Sequence, residues 1–191
     1  KDVILYMTDQ YEKNPAITII THRNYDRIDN VSVFLIASPI IKKWHPQLTI
    51  GLQKQWMDIE HNSRMLSMDR PLFIGRFNNG IQFPYGWTLH VDLFFQGKGD
   101  FQNIYINKNV FMMDASLTKS FFDDRLSFNL QGIDLTHGRK DGNVIYNKHM
   151  DLTVNNVTDS REVRLTVRYK FNTTKNKYKG KGAAEEEIRR L

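Results

Sequence analysis

Val163-Arg164-Leu165-Thr166-Val167-Arg168-Tyr169-Lys170-Phe171 alternates apolar and polar side chains without a break. Successive side chains of a β-strand leave opposite faces. Val163, Leu165, Val167, Tyr169 and Phe171 therefore make one apolar face, and Arg164, Thr166, Arg168 and Lys170 make a polar face that is mostly cationic. Alternation alone does not choose a solvent, because a strand packed on one side in a soluble protein alternates too. The recurrence of the pattern along the chain carries more weight.

The second clean strand is Trp87, Leu89, Val91, Leu93 and Phe95 set against Thr88, His90, Asp92 and Gln96. Leu126, Phe128 and Leu130 oppose Ser127, Asn129 and Gln131, while Ala115 and Leu117 oppose Asp114, Ser116 and Thr118. Val31 to Ala37 and Leu48 to Leu52 follow the same period, and Val3 to Met7 and Ala16 to Arg23 follow it more loosely. The spacing predicts one long segment over 64–83 that tolerates Pro71, a hairpin at Asp141-Gly142 and a further strand over 144–154. Tight connections fall near Pro39, Pro84 and Asp123, and longer polar ones near Asn24, His61, Lys98 and His137. Nine strands then alternate up and down if 144–154 is a hairpin arm of the last long connection. Aromatics gather at strand ends: Trp56, Tyr85, Trp87, Phe121, Phe122, Tyr169 and Phe171.

The expected fold is all-β: an antiparallel up-and-down meander of roughly nine to ten strands, an outer-membrane-type barrel or a fragment of one, over 1–171. A charged tail over 172–191 is expected to be disordered. Short turns at one end, longer loops at the other and aromatic girdles at both mark transmembrane β-barrels, whose strands need only about 9–11 residues to cross. No run of 18 apolar residues is present, which excludes a membrane helix. A mean hydropathy of -0.51 does not exclude a barrel, because half of each strand faces a polar lumen.

The chain has 191 residues, within the range of one domain. It begins at Lys1 without a secretion-signal pattern, and is read as a piece of something longer or a mature product. The absence of cysteine excludes disulfides, thiolate metal sites and a Cys nucleophile. The net charge of +6 invites a nucleic-acid reading. Half of that excess sits in the last 20 residues, where six Lys/Arg meet three Glu, so no nucleic-acid partner is expected.

His90-x-Asp92 and His149-x-Asp151 each put an imidazole and a carboxylate on one strand face, as a metal site or an oriented general base would. A polar lumen is lined with such groups anyway, and no third ligand or nucleophile is placed by spacing. No catalytic residue, metal or cofactor is therefore expected, and the chain is not read as an enzyme. The lumen-facing candidates are His90, Asp92, Asp114, Asn129, Gln131, His149, Asp151, Arg164 and Arg168. The lipid-facing candidates are Trp87, Leu89, Val91, Leu93, Leu126, Phe128, Leu130, Val163, Leu165, Val167, Tyr169 and Phe171. Arg164, Arg168 and Lys170 would either guide anions or pair with acidic groups on neighbouring strands or a plug, and pairing is the favoured reading. The aromatic-rich loop supplies Phe101, Gln102 and Tyr105 as ligand-contact candidates.

Gly-Lys-Gly-Asp-Phe-Gln-Asn-Ile-Tyr (97–105), Leu-Thr-Lys-Ser-Phe-Phe-Asp-Asp (117–124), the 159–172 strand and the tail over 177–187 resemble the C-terminal part of Bacteroidetes outer-membrane β-barrel proteins of the TonB-dependent receptor class. Thr21 to Arg27 and Arg70 to Asn79 extend the resemblance over most of the chain. It implies a last strand running from the outside to the periplasm of a Gram-negative cell, tight turns and tail on the periplasmic side, and uptake of a nutrient. It also implies outer-membrane lipid, a plug, further barrel strands and TonB as partners. The class's plug and TonB-engaging box have no counterpart in these residues, and a full receptor has about 22 strands around a plugged lumen. Two raw sheet edges would then close on each other or pair with another copy. The runner-up reading is a soluble β-barrel or sandwich that binds a ligand or glycan. A barrel-borne lipase or protease would need a nucleophile constellation that the sequence does not supply.

Overall fold

The protein is described by a computed structural model covering residues 3–148 and 150–171. In chain order the strands are β1 (Val3–Tyr11), β2 (Asn14–Tyr25), β3 (Asp29–Ala37), β4 (Trp44–Trp56), β5 (Asp58–His61), β6 (Arg64–Ser67), β7 (Leu72–Phe83), β8 (Trp87–Gln96), β9 (Gly99–Phe101), β10 (Ile104–Ile106), β11 (Val110–Phe121), β12 (Leu126–Ile133), β13 (Lys140–Tyr146), β14 (Asp151–Val157) and β15 (Glu162–Tyr169). All recorded pairings are antiparallel.

Seven strands form one continuous sheet in the order β3-β4-β7-β8-β11-β12-β15. Short turns join β3 to β4, β7 to β8 and β11 to β12, all at one end. At the other end each connection carries a hairpin or small strand pair of its own: β5–β6, β9–β10 and β13–β14. This produces more strands than expected without disturbing the up-and-down alternation. The 144–154 segment does lie in the last long connection, but as the two sides of the β13–β14 reversal rather than as the single strand expected. β1 and β2 pair with each other as a separate two-stranded sheet.

Two expectations about segment boundaries fail. The 64–83 segment breaks between β6 and β7, across 68–71, because Pro71 cannot donate to a ladder. There the backbone turns to a different partner, with the Asp100 amide donating to the Arg70 carbonyl at 3.0 Å. Asp141-Gly142 is not a turn. It lies inside β13, paired with Asn156 and Asn155 of β14, while the Asn107 amide donates to the Gly142 carbonyl from the other side at 3.0 Å. Pairing on both flanks overrides the turn preference of Asp-Gly, and the reversal falls at Asn147 to Met150 instead.

The turns are shaped by backbone that favours glycine or short polar residues. Phe122, Asp123 and Asp124 all take positive φ in the β11–β12 turn. At Pro84–Gly86, Gly86 has φ 76° and a Cβ there would lie 2.8 Å from the Ser120 carbonyl oxygen. Only glycine meets both demands.

Register fixes the faces. Ile81, Leu89, Leu117, Leu130 and Leu165 lie side by side across five strands. Leu35, Ile50, Gly75, Phe95 and Phe111 make a parallel row. Little covers this apolar face. Val33 is 64% exposed and Leu165 65%. None of the buried Leu, Ile, Val or Met side chains among the described residues lies on it. The buried cluster of Leu5, Met57, Ile59 and Met68 instead sits at the long-connection end, with Tyr25, Tyr105 and Tyr146 packed against it. Nor does the sheet close: among the described residues β3 pairs only with β4 and β15 only with β12. Of the two expected outcomes for the edges, closure on each other is not seen among the described residues, where seven strands fall short of the number that small barrels need.

Gly99 is packed against backbone at the long-connection end. A Cβ there would lie 2.5 Å from the Pro71 carbonyl oxygen and 2.8 Å from the Leu72 Cα. Backbone cannot step aside cheaply, so Gly99→Ala is expected to destabilise by about 1–3 kcal/mol. The check is a lowered denaturant midpoint at unchanged slope, against little change for Gly75→Ala, whose nearest contact is a Phe73 ring carbon at 3.5 Å.

Candidate functional site

The face opposite the apolar rows is polar over most of its height. His45, Gly80, His90, Ser116, Gln131 and Arg164 form one register row, and Gln47, Asn78, Asp92 and Asp114 the next. Thr88, Thr118, Asn129 and Thr166 form a third, in which the Asn129 amide donates to the Thr118 hydroxyl at 2.7 Å. His90, Asp92, Asp114, Asn129, Gln131, Arg164 and Arg168 thus share one face. Trp87, Leu89, Val91, Leu93, Leu126, Phe128, Leu130, Val163, Leu165, Val167 and Tyr169 share the other, and Phe171 continues that parity just past β15. Arg164 does pair with an acid, but not across strands: its guanidinium forks onto Glu162, two residues earlier on β15, at 2.9 and 3.0 Å.

The expected His149/Asp151 pair is described only at Asp151. Asp151 faces His61 of the β5–β6 hairpin, with Nδ1 to Oδ1 at 3.4 Å, and His149 lies outside the described residues. His90 leans toward Gly80, its ring 3.1 Å from where a Cβ would stand. No group of three His, Asp or Glu among the described residues is arranged to hold a metal ion.

The three long connections are fastened to one another. The Asn62 amide donates to the Lys148 carbonyl at 2.9 Å, and the Lys148 ammonium sits 2.9 Å from Glu60. His61 stands edge-on to Tyr146. The Asn103 side-chain amide donates to the Tyr146 carbonyl at 3.2 Å, and the Tyr146 amide returns a bond to the Asn103 carbonyl at 3.0 Å. Gln55, buried at the top of β4, donates to the Met68 and Gln102 carbonyls and accepts from the Gln102 amide.

Arg70 and Asp100 make the strongest of these links. Asp100 is 1% exposed. It accepts from the Arg70 backbone amide at 2.9 Å and from its Nε at 3.0 and 3.1 Å, and the guanidinium stacks 3.7 Å above the Tyr105 ring. A buried carboxylate stripped of such a partner is costly. Gln55, Arg70, Asp100 and Asp134 were not among the sequence-derived candidates. The usable signal was that Arg70 and Asp100 each lie in one of the stretches that carry the resemblance, 70–79 and 97–105. Phe101, Gln102 and Tyr105 take different parts. Phe101 lines an open cleft, while Gln102 is bound by Gln55 and Tyr105 by Arg70.

Residues 1–169 match the model of the outer membrane protein beta-barrel family. The chain belongs to this family. Comparisons with curated proteins and with solved structures give no match. Family membership supplies what covers the exposed rows. The sheet is barrel wall, and the protein is one of the outer membrane. Along β8 the apolar face runs from Trp87 to Phe95, about 27 Å of strand at roughly 3.4 Å per residue. Tilted as barrel strands are, that spans close to the apolar band of such walls. Aromatics mark both ends of the band in this wall: Phe83, Trp87, Phe121 and Phe128 at the short-turn end, and Phe73, Phe95 and Phe111 at the other.

Asp134 closes the last loop, just beyond β12. Its carboxylate accepts from the Gly138 amide at 2.7 Å, the Arg139 amide at 3.4 Å and the Ser160 hydroxyl. Its own amide donates to Asp114 at 2.7 Å. Burial pushes the carboxyl pKa up, but the bonds from Ser160, Gly138 and Arg139 outweigh that and hold it below the ordinary carboxylate range. A depressed pKa stabilises the folded loop above the unfolded value, and that contribution is lost as pH falls through the folded one. Hydrogen exchange at the Gly138 and Arg139 amides, corrected for intrinsic rate, is expected to stay slow at neutral pH and to accelerate only below the ordinary carboxylate range. Asp134→Asn is expected to abolish that pH step.

Proposed function

We propose that this chain supplies wall and outer loops to a TonB-dependent-receptor-like transporter of a Gram-negative bacterium, of Bacteroidetes type. It would take up a nutrient too large for simple pores. The carrying observation is the pair of unlike faces on one continuous sheet, together with membership of an outer-membrane barrel family. The long connections lie at one end and are tied together by Arg70–Asp100, Gln55–Gln102 and His61–Asp151, as befits loops that must hold a shape against the medium. The short turns and the tail then belong to the periplasmic side. Energy coupling would come through a plug and a TonB-engaging segment, and the residues here would contribute wall rather than engine. Outer-membrane lipid is the solvent of the apolar face, and the β3 and β15 edges are where further barrel strands would pair.

A soluble carrier or glycan-binding module would need the apolar rows packed inside. Their exposure gives that reading no support.

Expression of the complete gene product followed by fractionation is expected to place it in the outer membrane. Recovery from the soluble cytoplasm would end the proposal. Within the wall, Leu165→Arg places a lipid-facing charge between the midplane and the short-turn interface and is expected to cost about 1–3 kcal/mol, read as a reduced folded fraction in bilayers. Thr166→Arg, one residue along and facing the lumen, is expected to leave folding nearly unchanged.

A further inference from the structure

The polar face stops being polar near the outer loops. Phe94 stands in register with Met112, and Val110 lies beyond them, all on the lumen side. Residues there should meet water, so three apolar side chains together need a cover. The β9–β10 pair provides part of it through Phe101, Ile104 and Ile106. Val110 is buried, whereas Phe94 and Met112 are only half-buried. Between the two apolar walls an open cleft of about 420 Å³ remains, a size suited to a small-molecule body.

Its rim is cationic. Arg139 and Lys140 line it, and neither makes a salt bridge with a described residue. Arg139 also lines the adjoining cleft beside Asp92 and Asp114. The carboxylate on the same rim, Asp141, accepts from the Asn156 amide at 3.0 Å. The loop that presents the two cations is held in place by Asp134, through the Arg139 amide.

We infer that this cleft is a subsite for a solute with a flat or compact apolar body and one anionic group, carboxylate or sulfonate. The body lies between Phe94 and Met112 on one side and Ile104 and Ile106 on the other, and the anion reaches the Arg139 guanidinium and the Lys140 ammonium. Charge-assisted bonds at the mouth of an apolar slot give orientation as well as affinity. The assignment rests on the transporter reading and adds the chemical class of its solute.

The test is isothermal titration of the complete protein in detergent with sodium 2-naphthoate and with uncharged 2-naphthalenemethanol, each corrected for a detergent blank. Naphthoate is expected to bind about tenfold tighter than the alcohol, as one charge-assisted contact predicts. The double variant Arg139→Gln with Lys140→Gln is expected to lose that preference while still binding the alcohol. Ile104→Trp, which fills the slot, is expected to weaken both ligands. No heat above the blank, equal affinity for the two ligands, or a preference surviving in the double variant would each overturn the subsite. Those results leave the wall intact if the protein is still recovered from the outer membrane. Recovery in the soluble fraction sinks the transporter reading whatever naphthoate does.

Discussion

An apolar sheet face with no protein against it is the constraint on which the rest depends. Seven strands present rows such as Ile81–Leu89–Leu117–Leu130–Leu165, and the buried cluster of Leu5, Met57, Ile59 and Met68 lies away from that face. In water such a face would drive association or collapse. In hydrocarbon it is the ordinary condition of a wall, provided every backbone amide and carbonyl is paired along the ladder. The antiparallel meander satisfies that demand between strands. Among the described residues it leaves it unmet at the β3 and β15 edges.

The protein-like core lies elsewhere. Leu5, Met57, Ile59 and Met68 gather under the long connections, and the polar fastenings surround them. This division of labour follows from the solvent. Hydrophobic burial has no work to do between wall and lipid, since both are apolar. It acts where water returns, among the long connections. There buried charges are tolerated only when paired, as Asp100 is by Arg70 and as Asp134 is by surrounding donors.

The long connections are therefore less independent than loops usually are. Each of the three carries a short strand pair, and each touches another through main-chain bonds: Asn62 to Lys148, and Tyr146 to Asn103. A platform built this way can hold a slot open, because its walls are fixed by bonds that do not involve the slot itself. The cleft beside Phe94 and Met112 is framed by such elements on both sides.

By itself the sequence determined the wall. Period-two alternation assigns each residue of β8, β12 and β15 to a face, because strand geometry leaves no other choice, and short turn residues mark where the chain reverses. Parity of the alternation kept 144–154 out of the wall, but not as the one strand it reads as: the chain reverses within it. The sequence by itself did not determine the loops. Asp141-Gly142 reads as a turn until pairing with β10 and β14 holds it straight, and nothing near Asp151 in the chain announces His61 of another hairpin. Arg70 and Asp100 are thirty residues apart, and no local rule connects them. Tertiary structure decided those meetings, because loop contacts depend on which connections the sheet brings to the same end, and that information is spread over the whole ladder rather than held in any one segment.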